Sequence, residues 1–418
     1  MAKDNLIIGL DVGTSKVRTI VASVKGKDEI RPKIIGVGES NSAGMRKGAV
    51  VDIEEMTKSI KRSIDEAERV SGTKIERAFV SIGGSHIKTK ISKGIAAVSR
   101  ADEEVSEEDV MRAIDNASVV SLDPNREVIH VIPREFIIDN QGGVQDPRGM
   151  SGFRLEVDTL IIEGLTPYIK NLRKCLNSAG VEIEGLILNI LAASQAVLSK
   201  KQKELGVLVL DFGGGTVGMT VHEEGKLLHV TVLPVGSAHI TNDIAIGLRT
   251  SVETAEKIKL AYGSCLADEI GKKDVIDLSK IDEKEEGVVS RKEISRIIEA
   301  RMDEIFSLVN KELKKIDRER LLPAGAILIG GGAKTPDIVD LAKEKLRLPV
   351  QLGYPQGIDG LLDKIDNPTF ATAVGLIFWA LEMKGGKEQG KIFSIGRTSH
   401  SGSTAVGKLR SWLRNFLP

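Results

Sequence analysis

Two short segments, about two hundred residues apart, carry residue types that could bind phosphate. Each has an apolar strand, an Asp-x-Gly turn and then hydroxyl residues, and the turn aspartates are Asp11 and Asp211. Glycine turns expose backbone N–H groups because no Cβ blocks the approach of an anion. Two facing turns would hold a nucleotide triphosphate from both sides. The candidate phosphate-binding residues are Gly13, Thr14, Ser15, Lys16, Gly213, Gly214, Gly215 and Thr216.

Both aspartates stand at strand ends, where carboxylates suit water-mediated anchoring of Mg²⁺. A third glycine run, Gly330, Gly331 and Gly332, follows another apolar strand, and its flat backbone could lie beneath an adenine ring. One Asp-x-Gly turn alone is equally typical of a structural hairpin. The pair and the third turn together predict a site for ATP and Mg²⁺.

The elements that position these turns are predicted to be hairpins. A β-like stretch follows each aspartate turn, at 17–24 and 217–221. Rossmann and P-loop folds are disfavoured, because their glycine turn opens directly into a helix. A helix with a capped start at 52–55 is predicted to end at Gly72.

Region 78–165 changes to short strand candidates around one helix, which predicts a small α+β insert. Capping-box patterns at 250–253 and 290–293 predict two later helix starts. The insert strands are expected at 78–82, 127–133 and 159–164, with the helix at 106–117. The last helix is long, with predicted core residues Ile294, Ile297, Ile298, Met302, Ile305, Phe306, Val309, Leu313 and Ile316.

Composition excludes several classes of function. The 59 basic and 59 acidic residues cancel and aromatics make up 3%, so the bulk charge and stacking surfaces of nucleic-acid binders are missing. Cys175 and Cys265 lack metal-ligand spacing and suit a reducing compartment. The longest apolar run, 370–381, is shorter than the roughly 20 residues of a membrane span. We expect an intracellular protein that does not span a membrane.

The last dozen residues form a second candidate site. On a helical wheel their apolar side chains share an arc of roughly 140°, with basic residues at its edge or outside, as in helices that lie on anionic lipid. A Gly/Ser/Lys-rich linker precedes them, which disfavours docking of the tail on the protein's own core. The apolar residues are Val406, Leu409, Trp412, Leu413, Phe416 and Leu417, and the basic residues are Lys408, Arg410 and Arg414.

The paired turns and third glycine run resemble the actin/Hsp70/sugar-kinase ATPase superfamily. Within it, segments 234–245 and 255–259 and an insert directly after Gly84 resemble the FtsA family of bacterial cell-division proteins, over about residues 5–383. The resemblance implies an α/β, actin-like (ribonuclease H-like) two-lobed fold with an inserted α+β subdomain and a C-terminal amphipathic helix. The implied limits are lobe 1 at 1–83, 166–203 and 360–383, the insert at 84–165, lobe 2 at 204–243 and 324–359, its smaller subdomain at 244–323, a linker at 384–405 and the tail helix at 406–418.

Residue roles also follow from the resemblance. Glu256 and Lys259 would contact the ribose and adenine region. Gly236 and Asn242 belong to the matching segment and are expected among the nucleotide-binding residues. Arg296 and Arg301 would hold carboxylates of the short C-terminal tail of FtsZ.

The sequence departs from the superfamily where hydrolysis is concerned. Active members carry an acidic-Pro-x-Ala-Ala run, whereas the matching run here, 189–193, begins with Asn189. Gly218 stands where an aspartate is frequent. Because a general base is missing, we expect slow or incidental ATP hydrolysis, with Asn189 and Gln195 as weak candidates for orienting water.

The implied function is that of an ATP-binding membrane adaptor for cell division. Protomers would polymerise head to tail on the cytoplasmic face of the inner membrane, bind anionic lipid, hold the FtsZ tail and recruit later division proteins through the insert. Two alternatives remain, an actin-like scaffold of the type IV pilus kind and a small-molecule kinase of the same fold. The pilus relative lacks a comparable tail helix, and a kinase needs an aspartate base beside an open cleft.

Overall fold

Two of the β-sheets of the chain each contain one aspartate hairpin, and a third sheet belongs to the insert. The computed structural model describes residues 5–24, 31–99, 102–119, 123–283 and 285–385. The strands are Asn5–Val12 (β1), Lys16–Val24 (β2), Lys33–Asn41 (β3), Met45–Arg46 (β4), Ala49–Val50 (β5), Arg77–Ile82 (β6), Lys88–Ala97 (β7), Arg126–Ile138 (β8), Gln141–Val144 (β9), Arg154–Leu165 (β10), Glu182–Leu188 (β11), Val207–Phe212 (β12), Val217–Glu223 (β13), Lys226–Leu233 (β14), Val275–Asp277 (β15), Val288–Ser290 (β16), Ala326–Ile329 (β17), Val350–Leu352 (β18) and Asp359–Gly360 (β19). The helices are Ile53–Ser71 (α1), Glu107–Ser118 (α2), Thr166–Ser178 (α3), Asn189–Val197 (α4), Lys200–Leu205 (α5), Ser237–Leu248 (α6), Val252–Tyr262 (α7), Arg291–Lys315 (α8), Ile338–Leu346 (α9), Leu362–Ile365 (α10) and Ala371–Gly385 (α11).

The first lobe is a sheet with strand order β11-β6-β1-β2-β3-β19. Strands β1 and β2 form an antiparallel hairpin, and β1 lies parallel to β6 on its other side. Gly38 faces α1 and Gly9 faces α11, so helices cover both faces of the sheet closely. Helix α1 begins as predicted, with Asp52 accepting from the Glu55 N–H at 3.0 Å, and ends at Gly72 in the left-handed conformation.

The second lobe repeats this plan. Its sheet has strand order β14-β13-β12-β17-β18, with β12 and β13 as an antiparallel hairpin and β17 parallel to β12. Both predicted hairpins are therefore present. In each lobe the first strand of the hairpin has an antiparallel strand on one side and a parallel strand on the other. This pairing on both sides holds the turn in place at the edge of the sheet.

Helix α6 of the second lobe packs against α7 and α8. Helix α7 is capped by Ser251, which accepts from the Thr254 N–H at 3.0 Å, one residue after the expected cap. Ser290 precedes α8 as expected, but its side chain makes no capping bond within the described residues. The predicted core of α8 is buried except for Ile297 and Ile316, which are half-buried.

The insert is a sheet with order β7-β10-β8-β9, covered on one face by α2. Strands β8 and β10 are longer than the predicted 127–133 and 159–164. Strand β7 was not predicted, because its alternating Lys, Thr and Ser side chains give it little apolar character. The change of pattern at residue 78 places β6 in the insert, whereas the limits implied by the resemblance place it in lobe 1. Strand β6 pairs in parallel with β1 and β11 and so belongs to the sheet of the first lobe.

The C-terminal predictions fall at the limit of the described chain. Helix α11 continues through Gly385, two residues into the predicted linker 384–405. The predicted tail helix 406–418 and its lipid-binding residues lie outside the described residues. Within the ranges that the structure describes, no helix combines the length and apolar character needed to cross a bilayer.

Candidate functional site

The two aspartate turns have the same backbone construction. In the first, the Gly13 N–H donates to the Lys16 carbonyl at 3.1 Å. In the second, the Gly213 N–H donates to the Thr216 carbonyl at 3.0 Å. A Cβ on either glycine would lie 2.9 Å from the same carbonyl, so both turns need a residue without a side chain at this position.

The turns face each other across one cavity of about 680 Å³. A Cβ placed on Gly214 would lie 2.1 Å from Ser15 Oγ, so the two tips approach within contact distance. The structure thus brings together most of the predicted site residues. Those that line the cavity are Asp11, Gly13, Thr14, Ser15, Lys16, Asn189, Asp211, Gly213, Gly214, Gly215, Thr216, Glu256, Lys259, Gly330, Gly331 and Gly332.

Asp11 is fixed by groups from neighbouring strands. Ser81 on β6 donates to Asp11 Oδ1 at 2.7 Å and accepts from the Val12 N–H at 2.9 Å. Arg18 lies opposite Asp11 in the hairpin register. Burial raises the pKa of Asp11 above its ordinary value, whereas the charge of Arg18 and the Ser81 hydrogen bond oppose that rise. The net pKa of Asp11 is raised, by less than burial alone would raise it.

Asp211 has weaker support. Asn189 Nδ2, at the start of α4, donates to Asp211 Oδ2 at 3.4 Å. Burial and the nearby Asp11 carboxylate raise the pKa of Asp211 to about 7, and Arg18 only partly offsets this. Asp211 consequently carries a proton for much of the time at neutral pH unless a cation enters the site.

A polar network on α6 and α7 closes the second-lobe side of the cavity. Lys259 Nζ donates to Glu256 Oε2 at 2.6 Å and to Thr241 Oγ1 at 2.8 Å. The Thr241 hydroxyl also donates to Glu256 Oε2. The Lys259 side chain is only 9% exposed, whereas that of Glu256 is 44% exposed, so the ammonium group is buried beside a partly solvated carboxylate. It presents a fixed carboxylate and ammonium group to the cavity.

Two predicted nucleotide contacts do not line the cavity. Asn242 is exposed, because it lies one residue past Thr241, which takes the inward position on α6. Gly236 lies behind the second turn, where an added Cβ would approach the Thr216 N and the Gly213 carbonyl to 2.6 Å. Gly236 therefore supports the turn from behind.

The third glycine run lies against the second aspartate. Strand β17 ends at Ile329, and Gly330 then adopts φ 85°, where an added Cβ would lie 2.4 Å from Asp211 Oδ1. Gly332 begins a single 3₁₀ turn packed on Phe212. The run is thus both a bend that L side chains disfavour and a close approach of backbone to the cavity.

The two candidates for orienting water separate in the structure. Asn189 lines the cavity, and its Oδ1 is buried without a hydrogen-bond partner among the described residues. Gln195 does not line it, since its amide oxygen accepts from Lys203 Nζ at 2.7 Å. Gln195 lies six residues after Asn189 on α4. Its side chain is therefore rotated by roughly 240° about the helix axis from that of Asn189, which turns it away from the cavity. Gly218 packs against Ile190, where an added Cβ would come within 3.0 Å.

Several cavity residues were not identified from the sequence. Ser81 and Arg18 hold Asp11, and Glu39 accepts from Arg18 Nε at 2.9 Å while lying 3.0 Å from Lys16 Nζ. Gly48 also lines the cavity. Alternation along β2 would have placed Lys16 and Arg18 on one face of the hairpin, and this was the available signal.

The predicted partner arginines differ in availability. Arg301 is bound within the fold, donating to both oxygens of Asp243 at 2.7 and 2.9 Å and to Glu304. Arg296 is exposed on α8. A carboxylate of a binding partner would therefore compete with Asp243 for Arg301. At Arg296 it would not meet that competition.

Comparison with protein families matches both parts of this architecture. A model described as cell division protein FtsA matches residues 208–375, and one described as the SHS2 domain inserted in FTSA matches residues 84–163. The chain is 37% identical over 416 residues to FtsA of Pseudomonas aeruginosa, covering 98% of both chains. It is 37% identical over 380 residues to FtsA of Bacillus subtilis, covering 91% of this chain and 84% of the relative. Over 419 residues it is 34% identical to FtsA of Escherichia coli, covering 98% and 97%.

Solved structures show the same fold. A chain of the PilM-PilN type IV pilus biogenesis complex superposes with a TM-score of 0.66 at 16% identity, covering 91% of this chain and 100% of that one. MreB5 of Spiroplasma citri bound to ADP superposes with a TM-score of 0.54 at 15% identity, covering 92% and 99%. At these identities the likeness concerns the fold alone. The predicted actin-like fold is confirmed. Identities of 34–37% over 91–98% of its length show that the chain belongs to the FtsA family of cell division proteins.

Proposed function

We propose that this division protein binds Mg·ATP in the cavity between its lobes, and that the bound nucleotide organises protomers into a membrane-attached polymer. The observation that carries the proposal is the approach of two glycine turns, each next to an aspartate, across one cavity of about 680 Å³. A cavity of several hundred Å³ is of the size that small-molecule ligands occupy.

The residues around the cavity fit a magnesium-bound polyphosphate. Two carboxylates, Asp11 and Asp211, share a buried region in which the pKa of Asp211 rises to about 7. A divalent cation, when bound, supplies the charge that favours ionisation of both. Asn189 Oδ1 is a buried acceptor that has no partner within the described part of the chain. The MreB5 neighbours, which share the fold, are bound to ADP and to AMPPNP.

We infer that hydrolysis is slow. Asn189 holds the position from which a side chain could contact an attacking water, but an amide is a poor proton acceptor. Gly218 has no side chain and packs against Ile190, so it adds no polar group. Glu256 and Lys259 bind each other and would orient the ribose and adenine side. The site thus binds and orients the nucleotide without providing a strong base.

Attachment and assembly belong to the same proposal. The tail residues 406–418 bind anionic lipid weakly in one protomer and strongly in a polymer, because each attached tail raises the effective concentration of the next. Protomers join head to tail on the cytoplasmic face of the inner membrane, and the insert, proposed at 84–165, contacts neighbours and later division proteins. The FtsZ tail binds the subdomain proposed at 244–323, with exposed Arg296 as the first contact and Arg301 competing with Asp243.

Co-sedimentation with vesicles tests the proposal. The full chain is mixed with vesicles containing anionic lipid, with and without Mg·ATP and an FtsZ tail peptide. Sedimentation should increase with ATP, and the peptide should join the pellet only when the protein does. A variant lacking 406–418 should stay in the supernatant, while Arg296→Ala should lose the peptide but keep the vesicles. Equal sedimentation with and without ATP would contradict the proposal.

A further inference from the structure

The β4–β5 hairpin lies where the two phosphate turns meet. The Gly48 N–H donates to the Thr14 hydroxyl of the first turn at 3.1 Å. A Cβ placed on Gly215 of the second turn would lie 2.7 Å from the Cα of Lys47. The hairpin loop therefore contacts both turns at once, and Gly48 lines the cavity beside them.

Residues 83–87, which lead into the insert and which we call the neck, pack against this loop, and Gly83 and Gly84 also line the cavity. The Ser85 N–H donates to the Lys47 carbonyl at 3.2 Å, and the Ile87 N–H donates to the Gly84 carbonyl at 3.2 Å. A Cβ placed on Gly48 would lie 2.4 Å from the Cα of Gly84. The loop and the neck thus pack backbone against backbone.

The backbone conformations allow little adjustment at this contact. Lys47 has φ 50°, Gly48 has φ 76° and Gly84 has φ 122°, all in a region that L side chains rarely adopt. No flexible side chain separates Gly48 from Gly84 to absorb a displacement. When ligand binding shifts either turn, the loop must move with it, and the neck must either follow or lose the Ser85 hydrogen bond.

We propose that the β4–β5 hairpin is a third wall of the nucleotide site and transmits nucleotide occupancy to the neck of the insert. This inference rests on the proposed binding of ATP. Because coupling between two binding sites is reciprocal, a ligand held by the insert changes the ATP affinity by the same factor that ATP changes its affinity. Gly48 acts here as a positioning residue.

Hydrogen–deuterium exchange on the full chain tests the transmission. Amides of the loop and the neck, including those of Gly48, Ser85 and Ile87, are followed with and without saturating Mg·ATP. Binding of ATP is measured separately by calorimetry on the same preparation. We expect exchange in the neck to slow by about 3-fold or more when ATP is bound, the order of change given by a small local stabilisation.

Matched glycine variants separate contact from backbone strain. Gly48→Ala places a methyl group against Gly84, so the neck should lose its response when ATP is saturating. Gly72 has a comparable φ of 67°, but a Cβ there would meet nothing within 4 Å. In Gly72→Ala the neck should therefore respond to ATP as it does in the wild type. If Gly48→Ala does not fold, Gly84→Ala disturbs the same contact from the other side, with a Cβ 2.8 Å from the Lys47 carbonyl.

The outcomes distinguish this inference from the function on which it rests. No ATP binding by calorimetry contradicts the proposed function itself. Binding of ATP with unchanged exchange in the wild-type neck overturns the transmission alone. A full response of the neck in Gly48→Ala also overturns it, because the contact would then carry no signal.

Discussion

The two aspartate turns are alike in backbone and unlike in surroundings. Asp11 accepts a hydrogen bond from Ser81 at 2.7 Å and has Arg18 opposite it, whereas Asp211 accepts only a long one from Asn189 at 3.4 Å among the interactions described. Burial raises the pKa of both groups, and the charge of Arg18 opposes the rise at both. The Ser81 hydrogen bond further opposes the rise at Asp11, whereas the Asp11 carboxylate adds to the rise at Asp211, whose pKa reaches about 7.

This difference teaches that a repeated motif need not mean a repeated role. Both hairpins follow from the same local pattern of apolar strand and glycine turn. Their surroundings differ because of side chains outside the turns, namely Ser81 on β6 and Arg18 on β2 beside Asp11, and Asn189 on α4 beside Asp211. The supporting side chains, and not the turns themselves, therefore make the two aspartates unequal.

Removing the charged carboxylate should have the largest effect. Asp11→Asn keeps the size of the side chain but removes the charge that anchors the cation, so we expect the affinity for Mg·ATP to fall by roughly 100-fold. Calorimetric titration with Mg·ATP measures it. Asp340→Asn, which breaks an exposed ion pair with Lys343 on α9, is the control and should leave the affinity unchanged. An equally small effect of both variants would contradict the assigned role of Asp11.

Removing the protonated partner should cost less affinity and should raise stability. Asp211→Asn is expected to lower Mg·ATP affinity by about 10-fold at pH 8. The native pKa of about 7 lies above the ordinary 3.8, so the native state binds more protons and loses stability as pH rises between these values. The variant removes this loss and should gain up to about 4 kcal/mol at pH 8.

Thermal melts of nucleotide-free protein at several pH values check this second prediction. The gain in melting temperature of Asp211→Asn over the wild type should be largest at pH 8 and should shrink as pH falls toward 4. A gain that does not change with pH would show that Asp211 is not the titrating group.

The hydrogen bond to Asp11 should have a smaller effect. Ser81→Ala removes a bond that favours the carboxylate, so the pKa of Asp11 should rise and Mg·ATP binding should weaken about 3-fold at pH 7. Binding measured from pH 5 to 8 should show the acid limb shifted to higher pH. Ser63→Ala removes a buried hydroxyl bonded to Thr19 at 2.7 Å elsewhere in the lobe, and its pH profile should match that of the wild type.

The smallest effect is expected on α4. Gln195→Ala should change Mg·ATP affinity and ATP turnover by less than about 2-fold, since Gln195 contacts Lys203 and not the cavity. Asn189→Ala on the same helix is the comparison. It should reduce both the Mg·ATP affinity and the ATP turnover, because it removes the contact to Asp211. A loss in Gln195→Ala as large as that in Asn189→Ala would mean that the cavity is wrongly assigned.

The parts of the fold that were predictable are those set by local pattern. The strand, the Asp-x-Gly turn and the following strand are contiguous, so both hairpins and the turn residues that line the cavity could be named from the sequence. Strand β7 could not, since its outward side chains are polar or lie exposed, as Ile91 and Ile95 do. Its place depends on pairing with β10, which the local sequence does not specify.

The parts of the site that were missed depend on long-range packing or on helix phase. Ser81 reaches Asp11 only because β6 lies parallel to β1, and Gly48 reaches Thr14 only through the folded hairpin. Asn242 was chosen over Thr241, and Gln195 was included with Asn189, because a motif gives a segment without the rotation of its helix. A rotation of 100° per residue is enough to exchange inward and outward positions.

Calorimetric titration of the full chain with ATP shows whether the paired turns bind a magnesium nucleotide. It is run at pH 7 with Mg²⁺ or with EDTA, in two buffers that differ in ionisation enthalpy. The paired turns predict tight binding that requires Mg²⁺ and releases about half a proton, because the pKa of Asp211 is about 7. Absence of binding, equal binding in EDTA, or binding without proton release would contradict the division of roles between Asp11 and Asp211.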